Sequence, residues 1–172
     1  MKKNGMTLPE LLVALALIAV LVALTPAFTS MLDRLRLEST TRDLATAIRY
    51  ARTTAVVEQT GVTIKALEGD WGNGWVIFQD RYRSISRDNA EAILIKRKLG
   101  NRVQIKGNGS MARYIHFSAQ GFPKQKSGAF QAGSLVVCSP RIETQSSRLI
   151  LASGGRLRMS ACLLYTSPSP RD

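Results

Sequence analysis

The feature that most constrains this chain is an uncharged, apolar segment near its N-terminus. Residues 11–32 contain no charged side chain. As a helix rising about 1.5 Å per residue, this segment would be about 33 Å long, which matches the thickness of a bilayer core. Lys2 and Lys3 precede it, and the positive-inside rule keeps such a start on the cytoplasmic side. The sequence therefore predicts one membrane-crossing helix with the remaining chain on the far side.

Two simpler interpretations of this segment are a secretory signal peptide and a plain anchor. The apolar run is longer than a signal peptide needs, and no A-x-A-like cleavage site follows it. A plain anchor leaves Glu10 unexplained, because a carboxylate at the edge of an apolar helix is costly unless it is paired. Thr7 and Glu10 also fit a T-x-x-E capping box, so a purely local role for Glu10 stays open.

The opening "KKNG" followed by "MTLPELLVALALIAVL" resembles the type III signal of type IV pilins and type II secretion pseudopilins. The resemblance implies that prepilin peptidase cuts between Gly5 and Met6, that the new N-terminus is methylated, and that the protein sits in the bacterial inner membrane before assembly. It also implies that Glu10 pairs with the N-terminal amine of a neighbouring pilin, since two such charges in an apolar bundle each need a partner. Met6 and Pro9 depart from the usual pattern, but proline is tolerated in a first helical turn.

The helical period continues beyond residue 32 with polar residues interleaved. An apolar stripe recurs at steps of three and four residues: Leu37, Leu44, Ile48, Ala51 and Ala55. This stripe predicts that the second half of the helix packs on a globular head. We expect Pro26 to kink or locally loosen the helix, with an ordinary tolerated membrane proline as the alternative, and Gly61 to end it. The arginines between the stripe positions, Arg42, Arg49 and Arg52, are interpreted as a solvated face.

Beyond residue 61 the pattern changes to short runs rich in Val, Ile and Phe, separated by Gly, Asn, Asp and Ser. These runs are residues 62–67, 74–79, 92–99, 102–107, 113–121, 133–139 and 147–153. They predict an α+β, type IV pilin-like fold in which the long helix packs on an antiparallel β-sheet head. The expected organisation is a leader (1–5), a transmembrane and assembly helix (6–32), its amphipathic half (33–60) and the head (61–162).

The order of "WGNGWVIFQD", "IHFSAQGF" and "GSLVVCS" resembles the FimT/GspH branch of minor pilins and pseudopilins. The glycines of "GDWGNGW" are interpreted as a turn, because the Lys-Ser/Thr of a phosphate-binding loop is missing. His116 is the chain's one histidine, so no histidine metal cluster is predicted. No nucleophile has an evident base, and we predict neither enzymatic activity nor a cofactor.

Cys138 and Cys162 are the two cysteines of the chain. A head outside the inner membrane lies in an oxidising compartment, which favours a disulfide between them; two unrelated thiols are the alternative. The tail "LLYTSPSPRD" (163–172) fits no element and resembles translated adapter sequence, so we interpret it as non-native or disordered. Whether Cys162 is native stays open.

The net charge of +12 predicts attraction to a polyanion. Residues 81–126 alone carry +9, and outside the cell membrane the available polyanions include DNA and lipopolysaccharide. Within this stretch, the basic residues that would support a binding site are Lys96, Arg97, Lys98, Arg102, Lys106, Arg113, Lys124 and Lys126. A solvated basic surface is the alternative for each of them.

The stretch "SGGRLRM" matches the G-R-x-R motif of FimT-type minor pilins, which implies DNA contact by Gly155, Arg156 and Arg158 during natural transformation. In a strand, the two arginines project on one face about 6–7 Å apart, and glycine lets the backbone approach closely. The predicted function is a minor type IV pilin that binds extracellular double-stranded DNA non-specifically at the pilus and cell surface. A basic edge strand and a GspH-like pseudopilin with a structural role in type II secretion are the alternatives.

Overall fold

The fold consists of one long helix followed by antiparallel strands. A computed structural model describes residues 8–81, 84–85, 92–100, 103–139 and 142–163 of the chain. In these residues, helix α1 (Leu8–Val57) is followed by β1 (Val62–Ala66), β2 (Gly74–Gln79), β3 (Ile93–Lys98), β4 (Gln104–Gly107), β5 (Tyr114–Phe117), β6 (Pro123–Lys124), β7 (Gly133–Ser139), β8 (Ile142–Leu151) and β9 (Leu157–Leu163). The predicted class, a long N-terminal helix with an antiparallel head, is confirmed.

The N-terminal half of α1 is long and apolar enough to cross a membrane. From Leu8 to Val22, every Leu, Ile and Val side chain is 50–73% exposed. An 18-residue window of the helix has a mean hydropathy of 2.7, and none of that window is buried. The helix continues through Pro26 as one element, so this proline does not divide it in two. An exposed apolar surface of this size needs a lipid or protein partner.

The C-terminal half of α1 forms one wall of the head's core. All five residues of the predicted stripe are buried, with at most 4% of each exposed, so that prediction is confirmed. The helix packs mainly on β8, β1 and β7. Four buried alanines, Ala45, Ala47, Ala51 and Ala55, provide short side chains that let the helix lie close to the strands.

The helix ends earlier than the sequence predicted. Its last residue is Val57, and Gln59 adopts a left-handed conformation (φ 51°). The Thr60 amide donates to the Ala55 carbonyl over 3.2 Å, which is the closing hydrogen bond of a Schellman motif. The prediction that Gly61 ends the helix is therefore wrong, because Gln59 supplies the left-handed residue.

The strands form two antiparallel sheets rather than one. The five-stranded sheet has the order β3-β2-β1-β5-β6, and the four-stranded sheet has the order β4-β7-β8-β9. Large side chains fill the space between these sheets and α1: Trp71, Trp75, Phe117, Met111, Leu135 and Leu149, each at most 2% exposed. The two sheets and the amphipathic half of α1 thus share a single core.

Most predicted strand runs are confirmed to within a few residues. The two-residue strand β6 was missed, and β8 begins five residues earlier than expected. β9, which was expected only as the setting of the two arginines, extends to Leu163, one residue into the segment interpreted as a tail. Residues 164–172 lie outside the described residues.

We expect Leu44→Ala to lower the free energy of unfolding of the head by about 2–5 kcal/mol, because it leaves a cavity at a fully buried position. The measurement is urea unfolding of the full chain in detergent micelles, followed by the fluorescence of the buried Trp71 and Trp75. Thr46→Ala, at an exposed position of the same helix, is the control and should change stability by less than about 0.5 kcal/mol. Equal effects of the two substitutions would contradict a core at Leu44.

Candidate nucleic-acid interface

The turn between β8 and β9 requires a glycine at position 155. The Gly155 amide donates to the Ala152 carbonyl over 2.8 Å, and the Ala152 amide donates to the Arg156 carbonyl over 3.0 Å. Gly155 is buried and has a φ of +79°, a conformation that side-chain-bearing residues rarely adopt. A Cβ there would lie 2.6 Å from the Gly121 carbonyl oxygen. The first residue of the predicted motif thus fixes the backbone of the turn.

Arg52 fastens this turn to the helix. Its Nε donates to the Gly121 carbonyl over 3.1 Å, and its Nη2 donates to the Gly154 carbonyl over 3.2 Å. One half-buried side chain of α1 therefore holds two turns, residues 118–121 and 152–155. The interpretation of Arg52 as part of a solvated face is wrong, because the two turns fold over it; Arg42 and Arg49 are exposed as expected.

A cleft of about 340 Å³ lies between α1 and the start of β9, and we call it the arginine cleft. It is lined by Ile48, Arg49, Arg52, Thr53, Phe117, Gly155, Arg156 and Leu157. Three of these residues carry guanidinium groups, whose planar forks match phosphate oxygens in geometry. No acidic residue is among the lining residues. The cleft is therefore suited to an anion.

Arg158 lies on the outer face of the four-stranded sheet. It pairs with Ile150 of β8, and the next residue of β8 on the same face, Arg148, pairs with Ser160. Arg148 and Arg158 are exposed and are diagonal neighbours, which in an antiparallel pair lie about 7–8 Å apart. Arg156 precedes the first residue of β9. Of the two arginines that were expected to project from one face of a strand, only Arg158 lies in a strand.

Sequence reasoning missed Arg148 and Arg49 as members of this surface. The signal for Arg148 is the alternation in "SRLILAS", where Leu149 and Leu151 are buried and Arg148 and Ile150 are more exposed. Arg49 gave no separate signal, because its neighbourhood depends on how β9 returns to the helix.

The other predicted basic residues do not form one cluster with Arg156 and Arg158. Lys96, Arg97 and Lys98 lie on β3, an edge strand of the five-stranded sheet, whereas Arg158 lies on β9, an edge strand of the four-stranded sheet. The Arg97 guanidinium is also engaged by Asp43 of α1 at 2.7 Å.

The remaining members of the predicted set are spread over the head. Lys106 lies on β4, at the opposite edge of the four-stranded sheet from β9, about 14 Å away. Arg113 is exposed just before β5, while Lys124 and Lys126 lie on and after β6. Arg102 lies outside the described residues.

The strand register does not favour the predicted disulfide. Cys138 of β7 and Cys162 of β9 are both opposite Ser146 of β8, so one strand separates them. Two strand spacings amount to about 9–10 Å, whereas a disulfide joins Cα atoms about 4.4–6.8 Å apart. A bridge between these cysteines would require β9 to move from this register.

A buried polar network lies beneath a second, wider cleft of about 830 Å³. Thr63 donates its hydroxyl proton to Asp80 Oδ2 over 2.8 Å, so its oxygen can accept the proton of His116 Nδ1, also 2.8 Å away. Asp80 additionally accepts hydrogen bonds from the backbone amides of Ser84 and Ile85. His116 of β5 is buried because it joins this network.

The network holds the chain after β2 in place. Burial alone would raise the pKa of the Asp80 carboxyl, but hydrogen bonds with His116, Thr63 and two backbone amides lower that pKa to about 2 from 3.8. The Thr63 hydroxyl belongs to a fully buried residue and is therefore closed to a substrate. Among the described residues, no group of three or more His, Cys, Asp or Glu could hold a metal ion. The hydrogen bonds of the network restrain Asp80, Ser84 and Ile85.

The processing residues Gly5 and Met6 lie outside the described residues, so the predicted cleavage stays a prediction. Glu10 lies in the first turn of α1 and is exposed. Within residues 8–81, no ion pair involves its carboxylate. Its pairing with a neighbouring subunit also stays a prediction.

An exposed apolar half-helix joined to an amphipathic half that completes an antiparallel β head defines the class of type IV pilin-like proteins. The family model described as "Type II transport protein GspH" matches residues 40–155, and the prokaryotic N-terminal methylation motif matches residues 1–25. The chain belongs to the GspH family of minor pilins and pseudopilins. The methylation motif fits prepilin processing, membrane anchoring and assembly with other pilins.

Solved structures show the same fold. Two crystal forms of the type IV minor pilin FimU of Pseudomonas aeruginosa strain PAO1 superpose with TM-scores of 0.62 and 0.59, at 23% and 24% identity. The alignments cover 77% and 75% of this chain and 97% and 100% of FimU. No curated protein matches the chain significantly.

We expect Gly155→Ala to destabilise the head by about 1–3 kcal/mol, because a side chain there is strained at positive φ and meets the Gly121 carbonyl. Urea unfolding of the full chain in detergent micelles measures the change. Gly154→Ala is the matched control, since a Cβ at position 154 meets nothing within 4 Å. If both variants were as stable as the parent chain, the left-handed turn at Gly155 would be wrong.

We expect Asp80→Asn to destabilise the head at neutral pH by about 2 kcal/mol, the free energy that corresponds to the lowered pKa. A depressed carboxyl pKa stabilises the folded state above pH 4, and this contribution is lost as the pH falls towards 2. The difference in unfolding free energy between the parent and the variant should shrink over that interval. Glu68→Gln, at an exposed position, is the control and should change the stability at neutral pH by less than about 0.5 kcal/mol.

Proposed function

We propose that this protein is a minor type IV pilin that binds extracellular double-stranded DNA non-specifically and supports DNA uptake in natural transformation. The observation that carries the proposal is the arginine cleft, where Arg49, Arg52 and Arg156 surround a space without acidic residues. Arg148 and Arg158 extend this basic surface over the outer face of the adjoining sheet. A phosphate backbone that enters the cleft would continue along these two exposed side chains.

The charge distribution along the sequence favours a polyanion as ligand. Residues 92–171 contain thirteen Lys and Arg and a single acidic residue, Glu143. Strands β3 to β9 lie in this part of the chain and contribute to both sheets of the head, so most of its strands carry few carboxylates that would repel a phosphate. Contacts from arginines to phosphates fix a nucleic acid without reading its sequence, so binding should be independent of sequence and strongly dependent on salt.

The N-terminal region supports the cellular part of the proposal. The proposed route is insertion in the bacterial inner membrane with the head in the periplasm, cleavage between Gly5 and Met6, and assembly into the pilus through α1. In the filament, Glu10 pairs with the N-terminal amine of a neighbouring pilin. The exposed apolar side chains from Leu8 to Val22 are the surface that lipid covers first and neighbouring helices cover later.

A structural role in a type II secretion system is the second candidate function. The description of the matching family model, a type II transport protein, favours it. Such a pseudopilin would use the same helix and head but would have no need for the arginine cleft as a DNA site. Binding measurements on the full chain separate the two candidates.

We expect the double variant Arg156→Gln/Arg158→Gln to weaken binding of duplex DNA and to reduce the slope of log K against log salt by about 2, one for each phosphate that is no longer neutralised. Binding of the full chain in detergent micelles to a labelled duplex is measured by fluorescence anisotropy at several salt concentrations. Two unrelated duplex sequences should bind alike.

Arg34→Gln/Arg42→Gln is the matched control. It removes the same charge from two exposed helix positions, and we expect it to retain most of the affinity and the salt slope. Equal reductions in both double variants would show that net charge alone attracts DNA. Absence of duplex binding by the parent chain at low salt would favour the pseudopilin.

A further inference from the structure

Two phenylalanines of the head are exposed to solvent, whereas its other Phe and Trp side chains are buried. Phe122 is 43% exposed and Phe130 is 58% exposed, whereas the other Phe and Trp residues of the head, Trp71, Trp75, Phe78 and Phe117, are at most 2% exposed. The two exposed rings contact each other edge to face, with centroids 6.4 Å apart and an interplanar angle of 80°. We call them the aromatic pair.

The backbone holds the aromatic pair in a fixed arrangement. Lys124 of β6 forms a bridge with Phe130, and the Gln131 amide donates to the Pro123 carbonyl over 2.9 Å. The Gln125 amide closes the turn by donating to the Ala129 carbonyl over 2.8 Å. The rings therefore extend from a small hydrogen-bonded hairpin, which limits the conformational entropy that a ligand must remove from them.

Positive charge accompanies the aromatic pair. The Lys124 ammonium lies 3.8 Å from the centroid of the Phe130 ring, and Lys126 follows in the exposed turn. Residues 103–139 contain no Asp or Glu. An edge-to-face pair covers one ring face and the ammonium covers one more, while about half of each side chain remains exposed to another flat group.

The aromatic pair adjoins the arginine cleft through Arg52. This side chain holds Gly121 and the turn of Gly155 together. Phe122 directly follows Gly121, and Arg156 directly follows Gly155. The aromatic pair and the arginine cleft are thus reached from two adjoining turns that the same arginine holds together.

We propose that the aromatic pair is a base-stacking platform that lets this surface bind single-stranded DNA as well as the duplex, and bind it more tightly. The inference rests on the proposed DNA binding and specifies its substrate class. Unpaired bases offer their faces to aromatic side chains, whereas the bases of a duplex are already stacked on each other. The arginine cleft binds a phosphate while neighbouring bases stack on Phe122 and Phe130, with Lys124 beside the backbone.

A neighbouring pilin is the other partner that the aromatic pair could have, and the positive charge around the pair favours single-stranded DNA instead. An apolar patch that serves a subunit contact needs no surrounding surplus of cations, and exposed aromatic rings interleaved with lysines are typical of single-strand binding surfaces. Impaired filament incorporation in variants of the pair, with unchanged affinity for single strands, would assign the pair to a subunit contact and overturn the proposal.

The test compares a labelled single-stranded oligonucleotide with the duplex of the same sequence, using the full chain in detergent micelles at fixed salt. We expect the parent chain to bind the single strand more tightly. Phe122→Ala and Phe130→Ala should each weaken single-strand binding about fivefold or more and duplex binding less than about twofold. Ile93→Ala, a similarly exposed apolar position on β3, is the control and should change neither.

Phe130→Trp separates stacking from a merely structural effect. The indole ring preserves a stacking face, so single-strand affinity should be retained, and the added fluorescence should be quenched by the single strand but not by the duplex. Equal reductions for both DNA forms in the alanine variants, or none, would overturn the platform while leaving the arginine site intact. Absence of binding to either form by the parent chain would overturn the proposed function and this inference together.

Discussion

The packing of the C-terminal half of α1 on the strands is the contact on which the rest of the head depends. Neither sheet has a core of its own, because the buried faces of β1, β7 and β8 meet the helix stripe that includes Leu44 and Ile48. The same helix extends N-terminally as an exposed apolar rod. One element therefore completes the head and connects it to the membrane or filament, and any shift in its register would move both.

Arg52 links this packing to the candidate site. The buried residues beside Arg52 fix its position on α1. Its two hydrogen bonds then hold the turns that precede Phe122 and Arg156 against the helix. A hydrogen bond from a charged donor is worth about 1.5–3 kcal/mol when both partners are in place, so an arginine that spans two turns restrains both at once. The surface proposed to bind DNA is consequently rigid where its two parts meet.

The sequence predicted the helix, its buried stripe, the antiparallel head and the family, because each of these leaves a periodic or contiguous pattern. It could not predict the division into two sheets, since β1 pairs with β5 and β4 with β7 over long sequence separations. For the same reason, the basic residues expected to support the site appeared as one group, although those that the structure describes are distributed over several strands and turns of both sheets. Arg52 was misinterpreted because the carbonyls it binds come from residues 121 and 154, far along the chain.

The geometry also explains how a motif as short as G-R-x-R can carry structural information. Gly155 provides a left-handed turn with no room for a side chain. The variable position, Leu157, is partly buried against the core, and its inward orientation leaves Arg158 on the opposite face of β9. Arg156, between the turn and the strand, lines the cleft beside the helix. The apolar residue at the variable position therefore helps to hold both arginines in place, because its burial fixes the start of β9. A polar residue there would be less stably buried, and the two arginines would then be less well oriented even though neither is replaced.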